Sequence, residues 1–287
     1  MSSERDAVGD RLDQAAREDV EAIEIRLFLQ AIYDRYGYDL RDYSSQSIRR
    51  RVLGALARSG LAHMGELQHR VLGDPELFAT VLEDLTVRVS EMFRDPTFYR
   101  ALRSQVVPLL RTYPLLNVWH SGCASGEEAF SSAIVLVEEG IYDRTQIYAT
   151  DLSSRALEQA KEGVYSADVI NQCAANYLSA GGKARFEEYH RAAYDHFAMR
   201  ESLRRHILFF QHNLVSDHVF AEMHIIFCRN VLIYFEPALR ERVVRKFTQS
   251  LRPGGFLCLG SSERLAPAWG QQFSVFNERE RIYRYGA

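Results

Sequence analysis

The sequence predicts an α/β fold: a mostly parallel sheet with helices on both faces, preceded by a small all-helical domain. Three observations carry this. Beyond residue 115, apolar runs of strand length alternate with segments of helical spacing. The last two strand patterns, near 273–276 and 281–285, lie too close together for a crossover helix, so they form an antiparallel hairpin. Before residue 88 the apolar positions follow helical spacing, with no alternation of period two.

Bulk properties narrow the class. At 287 residues the chain makes one large or two modest domains, and 47% hydrophobic with 25% charged residues is ordinary for a soluble globular protein. A net charge of −3 gives no general attraction to nucleic acid or membrane. The four cysteines, at 123, 173, 228 and 258, show no CxxC spacing and form no metal-ligand cluster with the nine scattered histidines. Reduced thiols in a cytoplasm and no metal are the expectation. Met1 to Asp19 is polar, unlike a signal peptide, and no apolar run reaches the ~20 residues of a membrane helix.

Residues 1–24 hold eight acids and three arginines, which suggests a ragged or partly helical leader. Ile25, Phe28, Leu29 and Ile32 share one face of a helix that Gly37 ends. A second helix runs from about Ser45, with Ile48, Val52 and Leu56 inward, to Gly60, and short helices follow at about 65–72 and 75–85. Residues 25–87 thus read as a helical bundle. Asp95-Pro96 has the form of an N-cap and first helical position, opening a helix with Phe98, Leu102, Val106 and Leu109 that stops near Tyr113-Pro114. The sheet region follows: a strand at 116–120, a helix at 127–139, a strand from Gln146 ending at Asp151, and a helix from Ser153 to Lys161. Strands at His206–Gln211 and Met223–Cys228, a helix at 237–250 and a strand at Phe256–Leu259 complete the pattern. Residues 163–205 are too long for a plain connection and read as an insertion, with a helix near 175–190 and strands near 193–200.

The loop from Ser121 to Gly126 is built of small residues between a strand and a helix, the arrangement that brings backbone close to a nucleotide-like ligand. Gly122 and Gly126 do not complete G-x-G-x-x-G, and no phosphate-binding lysine follows. Glu127 and Glu128 place negative charge where a pyrophosphate would sit, so they suit a cationic ligand group. Asp151, ending the next strand, can accept both hydroxyls of a ribose. A nucleoside bearing an ammonium and a sulfonium, S-adenosylmethionine, has this chemistry. The competing reading of each acid is a charge that complements a helix dipole, and for Glu127 it is the stronger one.

V-W-x-x-G-C-x-x-G-E-E at 118–128, Y-A-T-D at 148–151, H-N-L at 212–214, F-C-R-N-V-L-I-Y-F at 227–235, R-P-G-G at 252–255 and G-S-S-E at 260–263 together resemble the CheR family of chemoreceptor glutamate methyltransferases. Y-G-Y-D-L at 36–40 and S-I-R-R-R-V at 47–52 are similar to that family's helical domain, so the likeness covers about residues 25–285 in order. It implies a Rossmann-like class I methyltransferase sheet with its last strand antiparallel, an N-terminal all-α domain and a small inserted α/β subdomain. It divides the chain into a polar leader (1–24), a receptor-docking domain (25–87), a lid and connecting helix (88–114) and a cofactor-binding catalytic domain (115–287) with the insertion at 163–205. The implied cofactor is S-adenosylmethionine, the product S-adenosylhomocysteine. The implied partner is the cytoplasmic helical region of chemoreceptors, met by a cytoplasmic monomer without membrane insertion or nucleic acid.

The resemblance implies roles residue by residue. Glu128 contacts the amino-acid portion of the cofactor, beside Gly122. Asp151 and Leu152 lie at its ribose, Asn213 and Leu214 at its adenine, and Arg229 and Asn230 form the floor below the methyl group. Arg88 and Ser90, at the lid, also belong to the cofactor site. For Asn213 the competing reading is a turn residue closing a strand. Arg94 and Tyr234 are the expected catalytic pair, Arg94 also lying against the cofactor. A guanidinium can hold a substrate carboxylate by two parallel hydrogen bonds and aim one oxygen at the methyl. The residue chemistry alone favours a salt bridge to Asp95 for Arg94 and a packed aromatic for Tyr234. His120 and Ser121 replace the small residues usual after the tryptophan, and His120 reads as a strand-end side chain satisfied by a neighbour or as a residue tuning the cofactor pocket.

Residues 41–60 carry five arginines and one aspartate. Arg49, Arg50 and Arg51 are consecutive and cannot share one helix face, so at least one points to solvent. With Arg58 they form the expected receptor-binding surface, complementary to a helix bearing glutamates; a solvated charged face is the bland alternative. Two other functions compete with receptor methylation: a non-catalytic signalling module that binds the cofactor, and a small-molecule carboxyl methyltransferase. Arg94, Asp151 and Tyr234 oppose the first, and the basic helical domain opposes the second.

Overall fold

The computed structural model describes residues 2–86 and 90–286, with side chains from Asp19 onward. Two compact units result, one within Met1–Val87 together with Tyr234–Leu239, the other within Arg88–Ile233 and Arg240–Ala287. Among the described residues no helix is long and apolar enough to cross a membrane.

The first unit holds α1 (Ser2–Tyr36), α2 (Ser45–Ser59), α3 (Met64–Gly73) and α4 (Pro75–Leu85). Ile25, Phe28, Leu29 and Ile32 of α1 are buried, as their spacing predicts, and Gly37 at φ 76° ends the helix with its N–H on the Tyr33 carbonyl. Helix α1 begins far earlier than Ile25. Residues 2–24 contain no proline and many good helix formers, so the acidic leader continues the helix. Ile48, Val52 and Ala55 of α2 face Leu67 and Val71 of α3 and Phe78, Val81 and Leu82 of α4 in one apolar interior. Asp74 caps α4, its carboxylate accepting from the N–H groups of Glu76 and Leu77, and Pro75 takes the first turn where no donor is needed.

The second unit opens with α5 (Pro96–Ala101), a π-helical segment (Leu102–Val106) and α6 (Val107–Leu110). The sequence pattern shows one unbroken helix here. Pro108 has no N–H, and the Val107 N–H reaches back to the Leu102 carbonyl, five residues away. Then come β1 (Leu116–Ser121), α7 (Glu127–Glu138), β2 (Thr145–Asp151) and α8 (Ser154–Glu162), the last capped by the Ser153 hydroxyl. The insertion holds β3 (Val164–Ser166), α9 (Ile170–Ser179), β4 (His190–Ala193) and β5 (His196–Met199), with the three strands in an antiparallel sheet ordered β3-β5-β4. After α10 (Glu201–Arg204) follow β6 (Ile207–Gln211), β7 (Met223–Cys228), α11 (Pro237–Ser250), β8 (Leu251–Leu259), β9 (Phe273–Asn277) and β10 (Ile282–Tyr285).

The main sheet is ordered β6-β2-β1-β7-β8-β10-β9, with β10 antiparallel to both its neighbours and the other pairs parallel. The chain moves outward from β1 through β2 to β6, then returns to place β7 on the other side of β1. The strand order therefore reverses between β1 and β7, and the loops after β1, β2 and β7 surround the crevice where α/β sheets bind ligands. All six residues of β7 are buried, as a strand covered on both faces requires.

Three boundaries differ from the sequence pattern. Helix α9 ends at Ser179, because Gly181 at φ 78° turns the chain and Gly182 passes so close to Tyr177 that a Cβ would lie 2.2 Å from its ring. The expected helix near 175–190 thus holds only the end of α9, followed by a turn and a 3-10 segment at Phe186–Glu188. Strand β8 starts at Leu251 rather than Phe256, and the extra residues form a register shift opposite Met223 and Ile225. Asp95 does not cap α5: it has a left-handed backbone, φ 56°, and makes no side-chain cap.

Candidate active site

The loop after β1 is shaped by two glycines. Gly122 has φ 77°, and a Cβ there would lie 2.6 Å from Val231 in the loop after β7. Its N–H and that of Cys123 donate to the Thr150 carbonyl at the end of β2. Gly126 has φ 93° and would place a Cβ 2.9 Å from Ala160 of α8. These close approaches need glycine, and they bring the ends of β1, β2 and β7 together. Six described non-glycine residues have positive φ, and four of them, Phe93, Asp95, Ala124 and Asn230, lie in the loops of this region. Such conformations persist where surrounding structure enforces them, most often at functional sites.

The acids at the strand ends have separate fates. Asp151 is half-buried, its two oxygens accepting from the Ala124 and Ser153 N–H groups, each at 2.9 Å. Leu152, beside it, is half-buried, and its carbonyl accepts from the Gln211 amide. Glu127 turns inward, where the Ser125 hydroxyl donates to it at 2.8 Å and the Ser90 hydroxyl also reaches it. Burial pushes its carboxyl up, against those hydrogen bonds. It is therefore neither an outward helix-start charge nor half of an outward acidic pair. Glu128 alone keeps an open side, with one oxygen 2.9 Å from His120 Nδ1 and the other 3.1 Å from Arg229 Nη1. Burial pushes its carboxyl up as well, but the hydrogen bonds and charges of His120 and Arg229 outweigh that and hold it below the ordinary value.

Arg229 is enclosed, its side chain 2% exposed. It pairs with Glu128 and with Asp95 at 2.7 Å, donates to the Arg94 carbonyl, and lies 4.1 Å over the Phe98 ring. Burial opposes its charge, yet Glu128, Tyr99 and Asp95 raise its pKa. Its task is thus to hold the Asp95 and Glu128 elements together, beneath rather than on the open floor the sequence suggests. Arg94 stands between two left-handed residues, Phe93 and Asp95, in a loop pinned where the Phe93 N–H donates to the Ser131 hydroxyl at 2.9 Å. Asn213 does what its turn reading says: its side-chain Oδ1 accepts from the Val215 and Ser216 N–H groups. Its Nδ2 makes no hydrogen bond among the described residues, and Leu214 beside it is half-buried. Asn230, at φ 61°, gives its N–H to Glu263.

Arg88 lies outside the described residues. Tyr234 belongs to the helical unit, where its carbonyl accepts from the Ser44 N–H and the Arg51 guanidinium sits 5.1 Å over its ring. Of the receptor-surface arginines, Arg49 and Arg50 are exposed on α2. Arg51 turns in to Tyr234 and the Leu85 carbonyl, and Arg58 pairs with Asp84 at 2.9 Å. Residue reasoning did not find Glu263. This buried carboxylate accepts from the N–H groups of Gly260, Asn230 and Ile233 and so braces the loop after β7. The G-S-S-E string contained the signal, but only the fold brings those donors to it.

Two family descriptions match the chain: the CheR methyltransferase SAM-binding domain over residues 88–282, and the CheR methyltransferase all-alpha domain over residues 23–86. The chain belongs to the CheR methyltransferase family. Its domain around Glu128 and Asp151 is accordingly the CheR cofactor-binding domain. The Cher3 protein of Pseudomonas putida, named as a methyltransferase, is 47% identical over 263 residues, covering 91% of this chain and 96% of its own. The chemotaxis protein methyltransferase of Listeria monocytogenes is 30% identical over 243 residues, covering 83% and 88%. Among solved structures, the N-methyltransferase NodS of Bradyrhizobium japonicum bound to S-adenosyl-L-homocysteine covers 68% of this chain and 91% of its own, at a TM-score of 0.36 and 15% identity, a slight likeness.

Proposed function

We propose that this CheR protein transfers a methyl group from S-adenosylmethionine to glutamate side chains of chemotaxis receptors, forming methyl esters and S-adenosylhomocysteine, as a monomer in the cytoplasm. The site's residues fit the cofactor. Glu128, kept ionised, suits its ammonium; Asp151, aimed by two backbone donors, suits its ribose hydroxyls; and exposed Gly122 leaves backbone uncovered beside them. Asn213 Nδ2 is a donor for the edge of the base. When bound, the cofactor supplies an electrophilic methyl group on a sulfonium.

A glutamate acceptor, with an ordinary pKa near ~4.3, is already a nucleophile at neutral pH, so no general base is needed. The work left to this chain is to orient the carboxylate and keep water away. Arg94 is the residue for orientation. Arg94→Ala should retain S-adenosylmethionine binding in a calorimeter but lose methyl transfer by on the order of 10²-fold, the usual loss on misplacing a reacting group. Turnover near wild type would remove Arg94 from this role.

The observation that carries a protein substrate is the basic face of α2. Arg49 and Arg50, exposed, line an open concavity of about 510 Å³ with Ser44, Gln46, Ser47 and Leu53. A small acceptor needs no such face, whereas a receptor helix carrying glutamates complements it. Incubation with methyl-labelled cofactor and receptor-containing membranes should give base-labile label on receptors. Label confined to a small product, or no label at all, would overturn the proposal.

A further inference from the structure

His120, which the sequence leaves open between a satisfied strand-end side chain and a residue tuning the cofactor pocket, takes no part in the proposed reaction. It is fully buried, 0% exposed, on β1. Its ring lies flat on Phe227, its registered partner on β7, with centroids 4.3 Å apart and planes 11° apart. That stack leaves the imidazole little freedom to turn about its own axis. Nδ1 points at Glu128 Oε1, and because that carboxylate is ionised, Nδ1 is the donor. Nε2 is buried with no hydrogen-bond partner among the described residues.

A buried polar atom without a partner is uncommon and unfavourable. An apolar side chain would fill the space above Phe227 without it. What the imidazole adds is the bond to Glu128. That carboxylate is clamped at both ends, by His120 on Oε1 and by Arg229 on Oε2. Each oxygen has a second lone pair. With His120 at 0%, Arg229 at 2% and Glu128 at 18% side-chain exposure, the carboxylate is the only member of the three that a ligand can meet.

We propose that His120 is a positioning residue for the cofactor: through Nδ1 it sets the rotamer of Glu128 so that the carboxylate receives the ammonium of the amino-acid portion of S-adenosylmethionine, without touching the cofactor itself. The inference rests on reading this crevice as the S-adenosylmethionine site. It makes the strand-end histidine a determinant of which adenosine compounds bind. Those that carry the amino-acid group gain from the clamp, and those that lack it do not.

The test compares two ligands that differ in that group, S-adenosylhomocysteine and 5′-methylthioadenosine, titrated calorimetrically into the full-length protein. His120→Leu keeps the apolar stack and deletes the donor; it should weaken S-adenosylhomocysteine roughly 10- to 100-fold, the usual loss for a hydrogen bond to a charged group, and leave 5′-methylthioadenosine within about twofold. His120→Asn, whose amide nitrogen falls near the Nδ1 position, should restore most of the difference. Equal weakening of both ligands would make His120 merely structural, and unchanged S-adenosylhomocysteine binding in His120→Leu would sink the proposal. If His120→Leu does not fold, His120→Gln, which displaces the donor from that position, should lose the same discrimination, and its retention would count against the clamp. A wild-type protein that binds neither ligand would instead overturn the reading of the crevice.

Discussion

Glu127 and Glu128 are adjacent and chemically identical, and their surroundings divide them. Both lose solvation, but Glu128 gains His120 and Arg229, whereas Glu127 gains only neutral donors, its own backbone N–H and the Ser125 and Ser90 hydroxyls. Their effects on stability have opposite signs. A carboxyl whose folded pKa is depressed stabilises the fold above its ordinary value, near 4.5, and that contribution is lost as the pH falls through the folded pKa. For Glu127, raised by burial, the contribution is greatest at low pH and is lost as the pH rises through its folded value. Glu128→Gln should therefore cost about 1–3 kcal/mol at pH 7, and the gap from wild type should narrow below pH ~4.5. Glu127→Gln should be neutral or stabilising at pH 7. Denaturant titrations of both variants at the two pH values decide this; equal behaviour would contradict the assignment. The G-E-E string marks the site in the sequence, but which acid faces outward depends on Ser90, Ser125 and Arg229, which only the fold brings near.

Secondary elements were legible where periodicity was strong and less so where single residues decide. Strand β7 and helix α11 begin and end where their patterns do, because apolar spacing alone defines them. Asp95-Pro96 has the form of a helix cap, yet the Asp95 carboxylate goes to Arg229, since pairing a buried guanidinium outweighs capping two N–H groups. The insertion was recognisable by length but not by internal layout, because its attachment is side-chain chemistry. Glu138, at the end of α7, accepts from the Tyr189 hydroxyl at 2.9 Å, the Lys183 N–H at 2.8 Å and the Tyr177 hydroxyl, and pairs with Arg103 of the π segment. Glu138→Ala would leave Arg103 with only Glu139 and the Ala180 carbonyl and strip the Tyr177 and Tyr189 hydroxyls of their acceptor, and a loss of about 2–3 kcal/mol is expected. Hydrogen exchange should quicken first in residues 163–205; uniform quickening across the main sheet would show that Glu138 does not serve as the insertion's anchor.

At the scale of the whole molecule, the two-part organisation was readable from the switch between helical spacing and strand–helix alternation, since each unit buries its own interior. The position of Tyr234 was not. Eight residues of contiguous motif, from Cys228 to Phe235, run out of one unit and into the other, and no local pattern marks that division. The arrangement of charge also changes which experiment is informative. Arg51 is half-buried against Tyr234, so reversing it would disturb the helical unit itself. Arg49 pairs with Glu21 of α1, so it is the reversal of Arg50 to Glu that leaves that unit undisturbed. It should weaken binding to a receptor cytoplasmic fragment by roughly tenfold, an effect that shrinks with added salt, while S-adenosylhomocysteine affinity stays as it was. Receptor affinity unchanged at low salt would direct attention away from α2.

The wide turn at Leu102–Val106 acts as a phase shifter. An α-helix advances about 100° per residue, so the extra residue accommodated there sets the angle between two faces of one rod. On one side of it Phe98 lies over the Arg229 guanidinium; on the other Val107 and Leu110 fill the core. Deleting a single residue, such as Ser104, would restore an ordinary helical pitch without removing any group from the crevice. It would also rotate Phe98 about a quarter turn off Arg229 and swing Asp95 with it. A one-residue change in spacing, rather than a change in chemistry, would then unlatch the clamp on Glu128.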